Sequence, residues 1–117
     1  MARTILIVDD HPSFRTSARR VLEDAGYEVI GEAEDGASGL AAARALRPAV
    51  VLLDVQLPDI DGFDVAARLT GDDGAPVVVL TSSRDGADFS GLVARSGARG
   101  FVPKAELSGQ ALEELLG

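Results

Sequence analysis

Two rhythms of hydrophobic and polar positions alternate along this chain. The first is the unbroken apolar run. "TILIVD" (4–9), "VVLLDV" (50–55) and "PVVVLTS" (76–82) are continuous and rich in β-branched residues, as expected of strands covered on both faces. The partly alternating "YEVIGEAE" (27–34) and the short "RGFVP" (99–103) complete five predicted strands. The second rhythm is helical. Over 12–26, Phe14, Ala18, Val21, Leu22 and Ala25 recur at helical spacing, and Gly26 suits a C-terminal stop. An alanine-rich helix is predicted over 35–48, closed by Pro48, and a short one over 62–70. The segment 85–97 predicts a weaker helix because of its glycines, and 106–117 a last helix with a Leu-rich face.

Strands that alternate with helices predict an α/β fold: a mostly parallel sheet with helices on both faces and right-handed crossovers. No internal repeat, low-complexity segment or linker interrupts the alternation, and 117 residues suit one compact domain, 1–117. A hydrophobic fraction of 46% and a mean hydropathy of +0.15 supply a real core.

Charge and composition narrow the function. A net charge of -8 and a pI near 4.4 argue against direct nucleic-acid binding, which needs clustered Lys and Arg, and against anionic membrane surfaces. The acidity suits either solubility alone or a charge-steered basic partner. The absence of cysteine excludes disulfides, zinc–thiolate sites and thiol catalysis, and the sole histidine, His11, excludes a multi-histidine metal site. No apolar run approaches the ~20 residues that cross a bilayer, and the N-terminus has no signal-peptide pattern. The expectation is a soluble, cytoplasmic domain.

The polar residues gather at the strand ends. Four apolar residues run into Asp9 and Asp10, Asp54 closes the third strand, Thr81 and Ser82 close the fourth, and Lys104 follows the fifth. Open α/β sheets bind ligands outside the carboxyl ends of their strands. If strands one and three are neighbours, three carboxylates converge, and such oxygens suit a hard cation such as Mg²⁺. Any one of these acids could instead be a helix cap or a solvated turn residue; all of these positions at once are hard to explain as punctuation.

The blocks "VDDHPSFR", "VVLLDVQLPDIDGFDV", "VVVLTSS" and "GFVPKAEL" resemble, in order and spacing over the whole chain, the receiver domain of bacterial two-component response regulators. "DDHP" and "FVPKAEL" are similar to receivers of the LuxR/NarL type, usually joined to a helix-turn-helix domain. The resemblance implies a doubly wound, CheY-like five-stranded sheet of order 2-1-3-4-5 flanked by five helices. It makes Asp54 the phosphoacceptor that attacks a phosphohistidine on a sensor histidine kinase or phosphotransfer protein. It implies Mg²⁺ held by Asp9, Asp10, Asp54 and the backbone carbonyl of Gln56. Lys104 and Thr81 would meet phosphoryl oxygens, Thr81 and Phe101 would form the switch, and Gln56 and Ser83 would tune hydrolysis of the phosphoryl group. Phe101 could equally be an ordinary core phenylalanine, and His11 reads as a structural loop residue.

The turn "LPDIDG" would anchor the loop beside Asp54, with Pro58 presetting the bend and Gly62 permitting positive φ. The lysine departs from the common pattern by preceding Ala105 rather than proline. A cis Lys104–Ala105 bond would be expensive, so a different loop is expected, with any cis bond before Pro103. Glycines in 83–97 lower the helix propensity of the fourth helix region, the family's usual output face. Such a domain catalyses its own phosphotransfer and dephosphorylation without being a conventional enzyme. It would act on a downstream protein or a missing effector domain, with a phosphorylation-linked dimer possible in either case. The chain's end favours a stand-alone receiver slightly over a fragment of a DNA-binding transcription factor. A flavodoxin-like carrier is disfavoured by acids where a phosphate loop would lie. An Asp-based phosphatase is disfavoured by Gln56 two residues after Asp54, and a pseudo-receiver by the presence of every matched site residue.

Overall fold

β1 (Thr4–Val8) forms where its β-branched run can be covered on both sides, and the structure buries Ile5, Leu6, Ile7 and Val8 almost completely. The computed structural model describes residues 3–83 and 89–116. β1 is followed by α1 (Pro12–Asp24), β2 (Glu28–Ala33), α2 (Gly36–Leu46), β3 (Val50–Asp54), α3 (Gly62–Thr70), β4 (Val77–Ser82), α4 (Ser90–Ser96), β5 (Gly100–Pro103) and α5 (Gly109–Leu116). The five strands pair in parallel in the order 2-1-3-4-5, as expected.

The period of two along each strand divides the core. Leu6, Val8, Val51, Leu53, Val78 and Leu80 face α2 and α3, meeting Leu40, Val65 and Leu69. Ile5, Ile7, Val50, Leu52 and Val79 face α1 and α5, meeting Ala18, Leu22, Leu112 and Leu116. β1 pairs with β2 on one side and β3 on the other, so the chain reverses its winding there. A crevice opens where the loops leave β1 and β3 for opposite faces. Register carries that crevice across the sheet: Val8 pairs with Leu53, Asp54 with Thr81, and Thr81 with Val102.

The ends of the elements follow their local chemistry. Pro12 opens α1 at a position whose missing N–H costs nothing, and Gly26 takes φ +94° just past its end. α2 stops at Leu46, before the expected Pro48, because proline disfavours helical backbone at the preceding residue and Arg47 turns left-handed at φ 51°. The expected helix over 106–117 is broken. Lys104–Glu106 forms a 3-10 turn, Leu107 is extended, and α5 begins only after Ser108, whose Oγ accepts from Ala111 N at 3.0 Å. The described peptide bonds are all trans, so no cis bond precedes Pro103. Only 90–96 of the expected helix over 85–97 is helical among the described residues, and 84–88 lie outside them.

Candidate functional site

Asp9 and Asp10 follow β1 directly, Asp54 is the last residue of β3, Thr81 lies in β4 beside it, and Lys104 follows β5. The fold brings these residues to one end of the sheet. Asp9, Asp54 and Thr81 are buried, at 0%, 2% and 0% exposure, and Asp10 is partly exposed. Carboxylate oxygens of Asp9, Asp10 and Asp54, together with a ring nitrogen of His11, all lie within 4.8 Å of one another.

Part of the balancing charge comes from Lys104. Its Nζ stands 2.7 Å from Asp9 Oδ2 and 3.3 Å from Asp54 Oδ2, and lies 4.6 Å from the centre of the Phe14 ring. That answers in part how adjacent aspartates can follow a buried strand: an ammonium bridges two of the three carboxylates. The contact to Asp54 is a hydrogen bond, whereas the one to Asp9 is an ion pair by distance whose angle leaves Asp9 Oδ2 without a hydrogen bond. Thr81 Oγ1 and Asp10 Oδ1 also lack a hydrogen-bond partner among the described residues. Buried polar atoms of this kind are costly unless something fills them. Carboxylates in excess of ammonium, with unfilled oxygens, fit a divalent cation with oxygen ligands.

The Asp54 carboxyl titrates above the ordinary carboxylate range. Burial is the main cause and the Asp9 charge adds to it, while the Gln56 N–H, which donates to Oδ1 at 3.1 Å, and Lys104 oppose the shift. A neighbouring cation would oppose it further.

The loop after β3 is held by its own acids. Asp59 accepts from Gly36 N at 2.7 Å and Ala37 N at 2.9 Å, so it closes the N-terminus of α2 alongside Asp35. Those N–H bonds hold its carboxyl below the usual range. Asp61 caps α3 through Phe63 N at 2.7 Å. Gly62 corrects the sequence reading: it is absent from the residues of positive φ, and its role is close approach. A Cβ there would run into the Asp54 carbonyl oxygen and stand 2.5 Å from Val55 Cα, while Gly62 N donates to Val55 O at 3.0 Å.

Of the other predicted residues, Gln56 and Ser83 are exposed beside the ends of β3 and β4. Phe101 is partly buried and packs on Phe89 at 5.8 Å between ring centres, and Phe89 packs on Phe63 at 5.5 Å. Sequence reasoning passed over this row of rings, because its members are far apart in the chain and follow no common period. It also missed Arg15, whose Nη1 donates to the Asp9 carbonyl at 2.6 Å while its Nε pairs with Glu32 at 3.1 Å. Phe14 was visible as an apolar helix position, but not as the ring beneath Lys104.

Comparison with known proteins agrees with this arrangement. The sequence pattern of the response regulator receiver domain matches residues 5–116. The DNA-binding response regulator MtrA of Mycolicibacterium smegmatis is 43% identical over 106 residues, which are 89% of this chain and 45% of that protein. The chain spans about half the length of the curated relatives it matches. Among solved structures, a LuxR-family two-component response regulator from Aurantimonas sp. SI85-9A1 superposes with a TM-score of 0.88 at 32% identity, over 99% of this chain and 86% of that one. The signal receiver domain assigned to NarL of Mycobacterium tuberculosis gives 0.87 at 33% identity, over 99% and 98% of the two chains. With its five-stranded sheet, its acid-lined crevice and these matches, the chain belongs to the response regulator receiver domain family.

Proposed function

We propose that the chain is a phosphorylation-activated switch in which Asp54 accepts a phosphoryl group from a phosphohistidine on a sensor histidine kinase or phosphotransfer protein. The observation that carries this reading is the setting of Asp54. It is a buried carboxylate at the end of a central strand, ringed by Asp9, Asp10, Lys104 and the unpartnered Thr81 hydroxyl. An Asp54 oxygen forms the new bond to phosphorus as the bond to the histidine nitrogen breaks, and the imidazole leaves. There is little covalent chemistry for the protein to assist, so its residues position groups and offset charge.

Each residue then has a task. Gln56 N holds Asp54 Oδ1 and so fixes the carboxylate plane. Lys104 exchanges carboxylate contacts for a phosphoryl oxygen, and Thr81 Oγ1 donates its unused hydrogen to another. Asp9, Asp10, Asp54 and the Gln56 backbone carbonyl hold Mg²⁺, which supplies positive charge against the carboxylates and the phosphoryl oxygens. The side chains of Gln56 and Ser83 control the approach of water to the product. Movement of Thr81 towards the phosphoryl group would then be felt at Phe101 and the ring row behind it. The response is a changed surface for a protein partner or a phosphorylation-linked dimer, in the cytoplasm.

The test is Mg²⁺-dependent modification of the purified chain by acetyl phosphate, with Asp54→Asn as control. A phosphate-sized mass gain that the variant lacks is expected, together with saturable binding of beryllofluoride. No gain with Mg²⁺ and donor in excess would sink the phosphoacceptor role and leave a partner-binding pseudo-receiver.

The relatives favour a second reading of the output. Several at 42–43% identity are named as transcription or DNA-binding regulators, and this chain covers about half of each. The effector would then be a DNA-binding domain joined to this receiver. The size of the protein as made in its own cell, measured by immunoblot, separates the readings. A 12.1 kDa band supports the stand-alone receiver, and a band near twice that supports the joined effector.

A further inference from the structure

We propose that His11 Nδ1 is a ligand atom of the cation site, and that it gives the site a preference for borderline first-row cations such as Co²⁺, Ni²⁺ or Zn²⁺ beyond what the carboxylates supply. The inference rests on the metal reading of the proposed function and adds to it a residue that sequence analysis assigned only to loop structure.

The geometry points this way first. His11 Nδ1 lies 3.1 Å from Asp9 Oδ1 and 3.1 Å from Asp10 Oδ1. Two ligands at right angles, each at about 2.1 Å from an octahedral ion, stand about 3 Å apart. The imidazole nitrogen therefore stands from each of the two carboxylate oxygens at the spacing of neighbouring ligands on one cation. Asp54 joins the same group within 4.8 Å.

The hydrogen bonding points the same way. A single N–H on Nδ1 can serve one oxygen well. It lies against Asp9 Oδ1, which also accepts from the His11 backbone N–H at 2.8 Å, and Asp10 Oδ1 is left without a hydrogen bond. The histidine thus over-serves one acid and leaves its neighbour unserved. A cation between the three atoms would satisfy all of them, with the ring proton moving to Nε2. The ring is 62% exposed, so Nε2 can bond to water. The helix makes no claim on the ring either: His11 is the N-cap of α1, and its side chain makes no cap hydrogen bond. Pro12 fixes the chain immediately after it. Thr81 Oγ1, fully buried beside the acids, lacks a hydrogen-bond partner among the described residues, which marks the pocket as built for something more than its own side chains.

Imidazole changes which ion wins. Carboxylate and carbonyl oxygens suit Mg²⁺, whereas an imidazole nitrogen suits Zn²⁺, Ni²⁺ and their neighbours. The sole histidine of the chain is the residue placed to make that difference.

The experiment uses the untagged chain, His11→Ala and His11→Asn, each titrated calorimetrically with CoCl₂ alone and MgCl₂ alone. Proton spectra of the Co²⁺-loaded wild type follow. Co²⁺ affinity should fall roughly tenfold or more in both variants while Mg²⁺ affinity changes little. The wild type should show one hyperfine-shifted, exchangeable imidazole proton that both variants lack. Equal Co²⁺ affinity in wild type and variants, or no such proton, overturns the ligand role of His11 and leaves the metal site standing. A wild type that binds neither ion removes the site itself, and the proposed use of Mg²⁺ with it.

Discussion

The two sides of the acidic crevice are built differently. On the side of β1 and β3, directional bonds hold the backbone and the loops, while Asp9 Oδ2 and Asp10 Oδ1 are left without hydrogen bonds among the described residues. Arg15 grips the Asp9 carbonyl, Gln56 N holds Asp54, Asp59 ties the loop after β3 to α2, and Asp61 caps α3. On the side of β4 and β5 the contacts are of another kind. Among the described residues Thr81 Oγ1 has no hydrogen bond, the N-cap of α4, Phe89, makes no side-chain cap bond, and Phe63, Phe89 and Phe101 pack ring to ring. α4 is fastened at its far end, where Thr70 Oγ1 donates to the Ser96 carbonyl at 3.0 Å. Hydrogen bonds specify a single geometry, whereas ring contacts tolerate sliding. Under the proposed function, the difference teaches where reaction and response would divide: the braced side, held by directional bonds, would position Asp54, and the side packed through rings would be the one to rearrange.

The strongest way to break the comparison is at Gly62, on the braced side. Gly62→Ala drives a Cβ into the backbone beside Asp54, and the loop must move to admit it. A loss of about 3 kcal/mol is expected, of the order of severe overpacking. Urea denaturation measures it. A loss under about 0.5 kcal/mol, the range of a neutral surface change, would mean that the loop is not held as described.

Lys104 spans the two sides, and its removal is expected to cost somewhat less. Lys104→Met keeps the stem over Phe14 but takes the ammonium from Asp9 and Asp54. Without divalent cation the variant should lose about 2 kcal/mol, because a buried carboxylate is left uncompensated. Addition of Mg²⁺ should recover part of that loss, read as a larger Mg²⁺-induced rise in melting temperature than the wild type shows. An equal rise in both proteins would mean that lysine and cation do not offset the same charge.

These variants also show how far the sequence could be read. The order of elements was legible because apolar runs and helical spacing are local patterns, and so was the gathering of Asp9, Asp10, Asp54, Thr81 and Lys104 at strand ends. The sheet order that brings them together came from the family resemblance, not from those patterns. What escaped depends on contacts across the chain. Gly62 looks like a turn glycine until the Asp54 carbonyl is seen against it. Asp59 looks like a surface turn acid, and only the fold brings it to the N-terminus of α2, 22 and 23 positions back. The break before α5 was missed since Ser108 as a cap competes with a leucine pattern that runs through it.

A smaller effect sharpens the electrostatic half of the comparison. Burial holds the Asp54 carboxyl above its ordinary range, so the folded state keeps that proton to higher pH than the unfolded chain. Stability from this group is therefore lost as pH rises from the unfolded value of 3.8 through the raised folded one. Asp54→Asn cannot ionise and escapes the loss. Without divalent cation it should be more stable than wild type at neutral pH, with the advantage vanishing as pH falls below the unfolded value. A constant difference across that range, in parallel urea series, would place its cause in packing instead.

The smallest effect belongs to the side of β4 and β5. Gly91 lies inside α4, and among the described residues a Cβ there would meet only the end of the Arg95 side chain, at 3.8 Å. Gly91→Ala should therefore stabilise the chain by about 0.5–1 kcal/mol, the helix preference of alanine over glycine with no clash to oppose it. The same methyl group that would damage the braced side should strengthen this one. If α4 must loosen when Asp54 is modified, the gain belongs to the unmodified state and the response should weaken: Gly91→Ala should bind beryllofluoride with Mg²⁺ more weakly than wild type, by up to about fivefold for 1 kcal/mol. Unchanged affinity alongside the full gain in stability would show that α4 keeps its helix in both states. The rearrangement would then have to be sought in Phe101 and its ring neighbours rather than in the helix backbone.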